Sequence, residues 1–229
     1  MKRLVLKFGG TSVGSIEKIQ KVANIVKKRH KEGNELIVIV SAMSGVTNDL
    51  IKKSKSISTN FDSKELDVLL SSGEQISSSL LTGALIDLGI KARSWMGWQI
   101  PILTDDNHTS SQIVNIKTKE ILNFISDGGV AVIAGFQGVS NKDRVTTLGR
   151  GGSDLSAVSI AKFFRTDSCE IYTDVEGVLT TDPLLHEKAK KIDKISYEEM
   201  LEMASLGAKV MQPISVQASM MHDIPVSVR

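Results

Sequence analysis

Between residues 149 and 154 the chain reads Gly149-Arg150-Gly151-Gly152-Ser153-Asp154. One guanidinium, one carboxylate and three glycines fall within six residues. Leu155, Val158, Ala161 and Phe164 follow at helical spacing, so Ser153-Asp154 reads as a helix start. Glycines let a ligand approach the backbone closely. The free N–H groups and the dipole of a helix start favour an anion. Arg150 adds a bidentate grip on a carboxylate or a phosphate. On these residues alone a second reading stands beside the first. The glycines then only cap a helix, and Asp154 serves stability as a helix-start anion, worth about 0.3–1 kcal/mol.

Other residues invite the same weighing. Lys7 lies one residue before the end of the apolar run 3–8, which Gly9-Gly10-Thr11-Ser12 follows. A lysine in a buried strand is rarely unpaired, and the carboxyl ends of parallel strands are where α/β sheets bind ligands. The segment lacks the G-x-x-x-x-G-K-[ST] pattern, so it is no Walker loop. Glu74 lies in Leu70-Ser71-Ser72-Gly73-Glu74-Gln75, inside a helical stretch. Gly73 there costs about 1 kcal/mol against alanine. Ser41 to Asn48 is small and hydroxylated, suited to a ligand loop or to turn caps. Lys209 follows a helix closed by Gly207, a place the helix dipole favours for a cation. Asp105, Asp106 and His108 lack metal-ligand spacing and read as a polar loop, and no metal site is expected.

The elements that must position these residues alternate in type. A strand over 3–8, a helix from Ile16 to Gly33 and a β-branched strand over 36–40 form a βαβ unit. The stretch 52–63, rich in Ser and Lys, is expected to be a mobile loop. Residues 66–88 read as one long helix or two close ones, and 90–99 as a strand and the turn leaving it. Trp95 and Trp98 are expected to pack. A loop over 101–111, a helix over 120–125 and a buried strand over 130–136 follow. A polar connector over 137–148 leads to Arg150. Strand 169–172, a capping-box helix from Ser196 through Leu206, a helix over 212–221 and a last strand over 225–228 complete the chain. Met200, Met203, Met211, Met220 and Met221 read as core filler.

Composition excludes several classes. The formal net charge of +2 gives no electrostatic case for nucleic acid or membrane. Cys169 is the only cysteine, which excludes an internal disulfide and a Cys-cluster metal site and fits a reducing cytoplasm. Met-Lys-Arg and the short strand-like run after it read as too short for a signal peptide, and no apolar run reaches transmembrane length.

Three segments taken together carry a resemblance. Lys7-Phe8-Gly9-Gly10-Thr11-Ser12, Gly149-Arg150-Gly151-Gly152-Ser153-Asp154 and Thr173-Asp174-Val175-Glu176-Gly177-Val178-Leu179-Thr180-Thr181-Asp182-Pro183 resemble, in this order, the amino-acid kinase superfamily and within it the aspartokinases. The resemblance runs from Lys2 to Arg229. It implies a three-layer αβα sandwich with a mostly parallel central sheet, taken as one domain over 1–229. An amino-acid-binding lobe would cover about 1–135 and a nucleotide-binding lobe about 136–229. It also implies that relatives continue into regulatory domains, and a homodimer is compatible with it. Gly97-Trp98-Gln99 matches the shorter, single-activity members.

The resemblance assigns roles residue by residue. Lys7, Asp154 and Lys209 are the expected catalytic residues. ATP is expected at Lys7, Gly9, Gly10, Thr173, Asp174, Lys209 and Val210. The amino acid is expected at Ser41, Thr47, Glu74, Arg150 and Ser153. Arg150 would hold the α-carboxylate and Glu74 the ammonium, which needs an anion or acceptors when desolvated. The implied reaction is MgATP plus L-aspartate giving 4-phospho-L-aspartate and ADP. A carboxylic acid with a pKa of about 4 needs no general base at neutral pH. The demand is for cations that let an anionic nucleophile meet a polyanion. Leu179 and Leu184 replace an aromatic residue and an arginine of many relatives, from which weaker ATP binding is expected. A kinase for another amino acid, such as glutamate 5-kinase, and a non-catalytic ligand-binding subunit are the competing readings.

Overall fold

The computed structural model describes residues 1–175, 177–182, 186–208 and 210–229. In chain order the elements are β1 (Arg3–Phe8), α1 (Ile16–Lys31), β2 (Glu35–Val40), α2 (Val46–Ile57), α3 (Ser63–Asp87), β3 (Ala92–Trp95), β4 (Ile102–Thr104), β5 (Ile113–Ile116) and α4 (Lys119–Ser126). Then come β6 (Val130–Ala134), β7 (Gln137–Ser140), β8 (Val145–Thr147), α5 (Gly152–Phe163), β9 (Ser168–Tyr172), α6 (Tyr197–Ser205), α7 (Pro213–His222) and β10 (Val226–Val228).

Six strands form a parallel sheet in the order β10-β9-β1-β2-β6-β3. Strand alternation sends successive side chains to opposite faces, so each central strand feeds two cores. Leu4, Leu6 and Phe8 of β1 join Leu36, Val38 and Val40 of β2 beneath Val22 and Val26 of α1 and Leu81 and Leu85 of α3. Val5, Ile37, Ile39, Ile133 and Ile171 face the other way, toward Ile121 and Ile125 of α4, Val158 and Ala161 of α5, and Met200 and Met211. This is the expected three-layer αβα sandwich. A smaller four-stranded sheet, β5-β4-β7-β8, stands beside it.

Several expectations need correction. The stretch 52–63 is not a loop throughout, because α2 runs through Ile57. Its lysines are good helix formers, and Asp49 pairs with Lys53 one turn on at 2.7 Å. The stretch read as one long helix or two close ones is one helix, α3, starting three residues earlier at Ser63 and capped by Asp62, whose side chain accepts from the amides of Lys64 and Glu65. The loop 101–111 contains β4, and the connector 137–148 contains β7 and β8. Trp95 is buried but Trp98 is half exposed, and Met220 and Met221 point to solvent. Among the described residues, no helix is long and apolar enough to cross a membrane.

Candidate functional site

The site grows from the carboxyl ends of β1, β2 and β6 and from the start of α5. Lys7 is the penultimate residue of β1, flanked in register by Ile39 and Ile171. Its position puts it on the α5 side of the sheet, where Nζ lies 2.5 Å from Oδ1 of Asp154. Both residues are buried. A buried charge needs a partner, so this pair explains how a lysine survives inside the sheet. Asp154 therefore does more than decorate a helix start.

The turn before α5 is left-handed at Gly149 and Gly151, with φ of 74° and 72°. These are angles that side-chain-bearing residues rarely adopt. No side chain caps α5, so its first-turn amides have no side-chain acceptor among the described residues. Arg150 sits exposed between the two glycines. Ser153, on the first turn of α5, accepts a 2.7 Å hydrogen bond from the Ser41 hydroxyl, tying this turn to the end of β2.

Glu74 approaches from α3. The close approach rests on Gly73, where a Cβ would lie only 2.7 Å from the Ala42 methyl carbon. That contact accounts for a glycine in the middle of a helix. Oε1 of Glu74 accepts from the Ala42 amide at 2.9 Å, while Oε2 is buried with no partner among the described residues. Burial raises the carboxyl pKa to about 7, and the Ala42 amide offsets only part of that rise. Ser77, one turn further along α3, donates to the Ser41 carbonyl at 2.7 Å.

These residues share one cavity of about 320 Å³. Gly10, Ser41, Thr47, Glu74, Arg150 and Ser153 all line it. Its lining therefore includes an exposed guanidinium, hydroxyls and a buried carboxyl group, a set suited to a small zwitterion. Phe136 also lines it, and sequence reasoning missed that residue. Its φ of 67° is uncommon for an aromatic residue, and its ring covers Gly152, where a Cβ would come within 2.7 Å of Cδ2. The only signal in the sequence was its place between a strand end and a polar stretch.

The residues expected to hold a nucleotide are less gathered. Gly9 donates its amide to the Tyr172 carbonyl at 3.3 Å, which sets the Gly9-Gly10 turn beside Thr173. Thr173 donates to Oδ1 of exposed Asp174 at 3.1 Å. Val210 is half-buried against the core that α6 and α7 share. A larger cavity, of about 680 Å³, opens near Val178, Met211 and Val228, but Thr173, Asp174 and Val210 do not line it. Lys209 and Leu184 lie outside the described residues. Leu179 forms an isolated antiparallel bridge with Lys191.

The profile of the amino acid kinase family matches residues 2–229. An aspartate kinase of Stutzerimonas stutzeri is 50% identical over 228 residues, covering 100% of this chain and 55% of that protein. The chain thus spans about half the length of the curated relatives it matches. Among solved structures, an aspartate kinase from Synechocystis superposes with a TM-score of 0.89 at 44% identity, over 99% of this chain and 37% of that one. Aspartokinase III of Escherichia coli, in complex with aspartate and ADP, superposes with a TM-score of 0.88 at 28% identity, over 98% of this chain and 61% of that one.

Proposed function

This chain belongs to the amino acid kinase family, and we propose that within it the chain is an aspartate kinase. It transfers the γ-phosphoryl group of MgATP to the side-chain carboxylate of L-aspartate, giving 4-phospho-L-aspartate and ADP. This is the first step toward lysine, threonine and methionine in the aspartokinase reading. The observation that carries the proposal is the cavity that Arg150 and Glu74 both line, next in sequence to the α5 start that holds the Lys7–Asp154 pair. Relatives about 50% identical over the whole of this chain, named aspartate kinases, support it.

In this reading Arg150 grips the α-carboxylate and Glu74 accepts from the ammonium. Ser41, Thr47 and Ser153 supply hydroxyls along the wall. The side-chain carboxylate is then left free to face the phosphates. It is ionised at neutral pH, so no proton has to be removed before attack. An oxygen lone pair of that carboxylate forms the new P–O bond as the bond to the ADP oxygen breaks. ADP leaves with the electron pair of that bond.

Two anions must be held together for this to happen, which makes positive charge the main requirement. Lys7 meets the transferring phosphoryl group, and Asp154 orients the Lys7 ammonium. Lys209 is the second cation, and Mg²⁺ arrives with ATP as part of the substrate. Gly9 and Gly10 line the phosphates, while Thr173, Asp174 and Val210 take the rest of the nucleotide. A cytoplasmic homodimer completes the reading.

A panel of amino acids in a coupled ADP-release assay tests the substrate. L-Aspartate is expected to be turned over well ahead of L-glutamate, since one methylene in a shaped pocket is worth about 1–3 kcal/mol. Preference for glutamate would overturn the assignment.

A further inference from the structure

Asp67 has no part in the chemistry just described, yet it is fully buried. It sits on α3 seven residues before Glu74, on the same helix face. Its carboxyl group gathers three neighbours from two other segments. Nδ1 of His108 lies 2.6 Å from Oδ2, in the tautomer whose Nδ1 donates. The Thr109 amide donates to both oxygens at 3.1 Å. The Thr147 hydroxyl donates to Oδ1 at 2.5 Å. Asp67 thus bolts the 105–111 loop and the end of β8 to α3.

Both attachments lead to Arg150. Thr147 ends β8, three residues before Arg150, and its carbonyl accepts from the Ser111 amide at 2.9 Å. Thr109 is a β-branched residue held at φ 69°, an angle it avoids unless its surroundings impose it. Its carbonyl lies 3.2 Å from where a Cβ on Gly149 would sit. The strained loop therefore forms the wall against which the Gly149 turn rests. Glu65 and Arg144 add an ion pair between α3 and the β7–β8 hairpin at 2.5 Å, and Gln137 donates to the Ser71 carbonyl at 3.0 Å.

We propose that Asp67 is a positioning residue that fixes Arg150 at its working distance from Glu74, through Thr147 and through the His108–Thr109 turn. One helix then carries the acceptor for the substrate ammonium and the anchor for the group that grips its α-carboxylate. The inference rests on the aspartate kinase reading. It adds that the length of the zwitterion accepted by the cavity is set from the first two turns of α3.

The test is steady-state kinetics of D67N, T147V, T147S, R150A and the double variant D67N/R150A, each with a thermal melt. D67N and T147V are expected to raise the KM for aspartate at least tenfold and to leave the KM for ATP within twofold. T147S, which keeps the hydroxyl, is expected to stay within twofold of the parent. In the R150A background, D67N is expected to add less than a twofold loss, because the residue it positions is gone. An active parent in which D67N costs as much with R150A as without it overturns the inference alone. Lowered melting temperatures with an unchanged KM for aspartate do the same. If D67N fails to fold, the T147V and T147S pair decides by the same criterion. A folded parent that turns over no aspartate removes the functional reading and the inference together.

Discussion

Lys7 and Asp154 form a buried ion pair, so neither can be removed without affecting folding as well as chemistry. Losing one partner of such a pair costs about 3–5 kcal/mol, because the other charge stays buried alone. K7M is therefore expected to melt lower and to lose at least about a hundredfold in kcat, with the KM for aspartate within about threefold. The double variant K7M/D154N should regain much of the melting temperature and none of the turnover. Near-normal turnover in K7M would contradict the role given to the ammonium. Glu74 gives a second prediction at this scale. Its pKa of about 7 means that acid titrates away the anion that the proposed reading offers to the substrate ammonium. The KM for aspartate should rise as pH falls from 8 to 6 while the KM for ATP stays level, and E74Q should be high and flat. Stability has the opposite dependence. A carboxyl whose folded pKa lies above its unfolded value of 4.5 favours the folded state when protonated, and that contribution is lost as pH rises from about 4.5 through 7. The shift corresponds to roughly 3 kcal/mol at pH 8. E74Q without ligand should consequently melt above the parent at pH 8 and level with it near pH 4.5; equal melting at both would sink the burial argument.

At the scale of elements, α3 decides the width of the cavity. G73A would improve helix propensity by about 1 kcal/mol in an isolated helix. Here the new methyl group meets the Ala42 side chain at 2.7 Å and Val46 at 3.3 Å, so α3 must move away from the loop after β2. The expected outcome is a raised KM for aspartate and no gain in melting temperature; a more stable enzyme with unchanged KM would contradict this. The same helix shows what was legible in the sequence. Its extent, the parallel strands and the capping box of α6 could be read because long periodic segments and β-branched runs are strong signals. Gly73 and Glu74 stood out as an oddity, but only the Ala42 contact explains the glycine. The small sheet was not legible. β4 and β8 have three residues each, and β7 is Gln137-Gly138-Val139-Ser140, buried despite its polar composition. It is enclosed between its hairpin neighbour β8 and β4, which is distant in sequence, and local composition does not report that pairing. Asp67 was invisible for the same reason, since its partners lie 41 to 80 residues away.

At the scale of the whole molecule, the six-stranded sheet brings turns that are far apart in sequence to one rim. The Gly9-Gly10 turn, the loop after β2, α3 and the Arg150 turn converge there on a single cavity. The described site residues assigned to aspartate all lie in this arrangement, within a chain about half as long as its curated relatives. In the proposed reaction, that rim is the place where an acyl phosphate forms. Hydroxylamine traps such a product as a hydroxamate, and the direct measurement is colorimetric detection of aspartyl hydroxamate from the purified chain with ATP, Mg²⁺ and L-aspartate. Hydroxamate that requires both ATP and aspartate, and that disappears in K7M/D154N, is the predicted result. A folded chain that binds aspartate and nucleotide yet yields no hydroxamate above the enzyme-free control would contradict it.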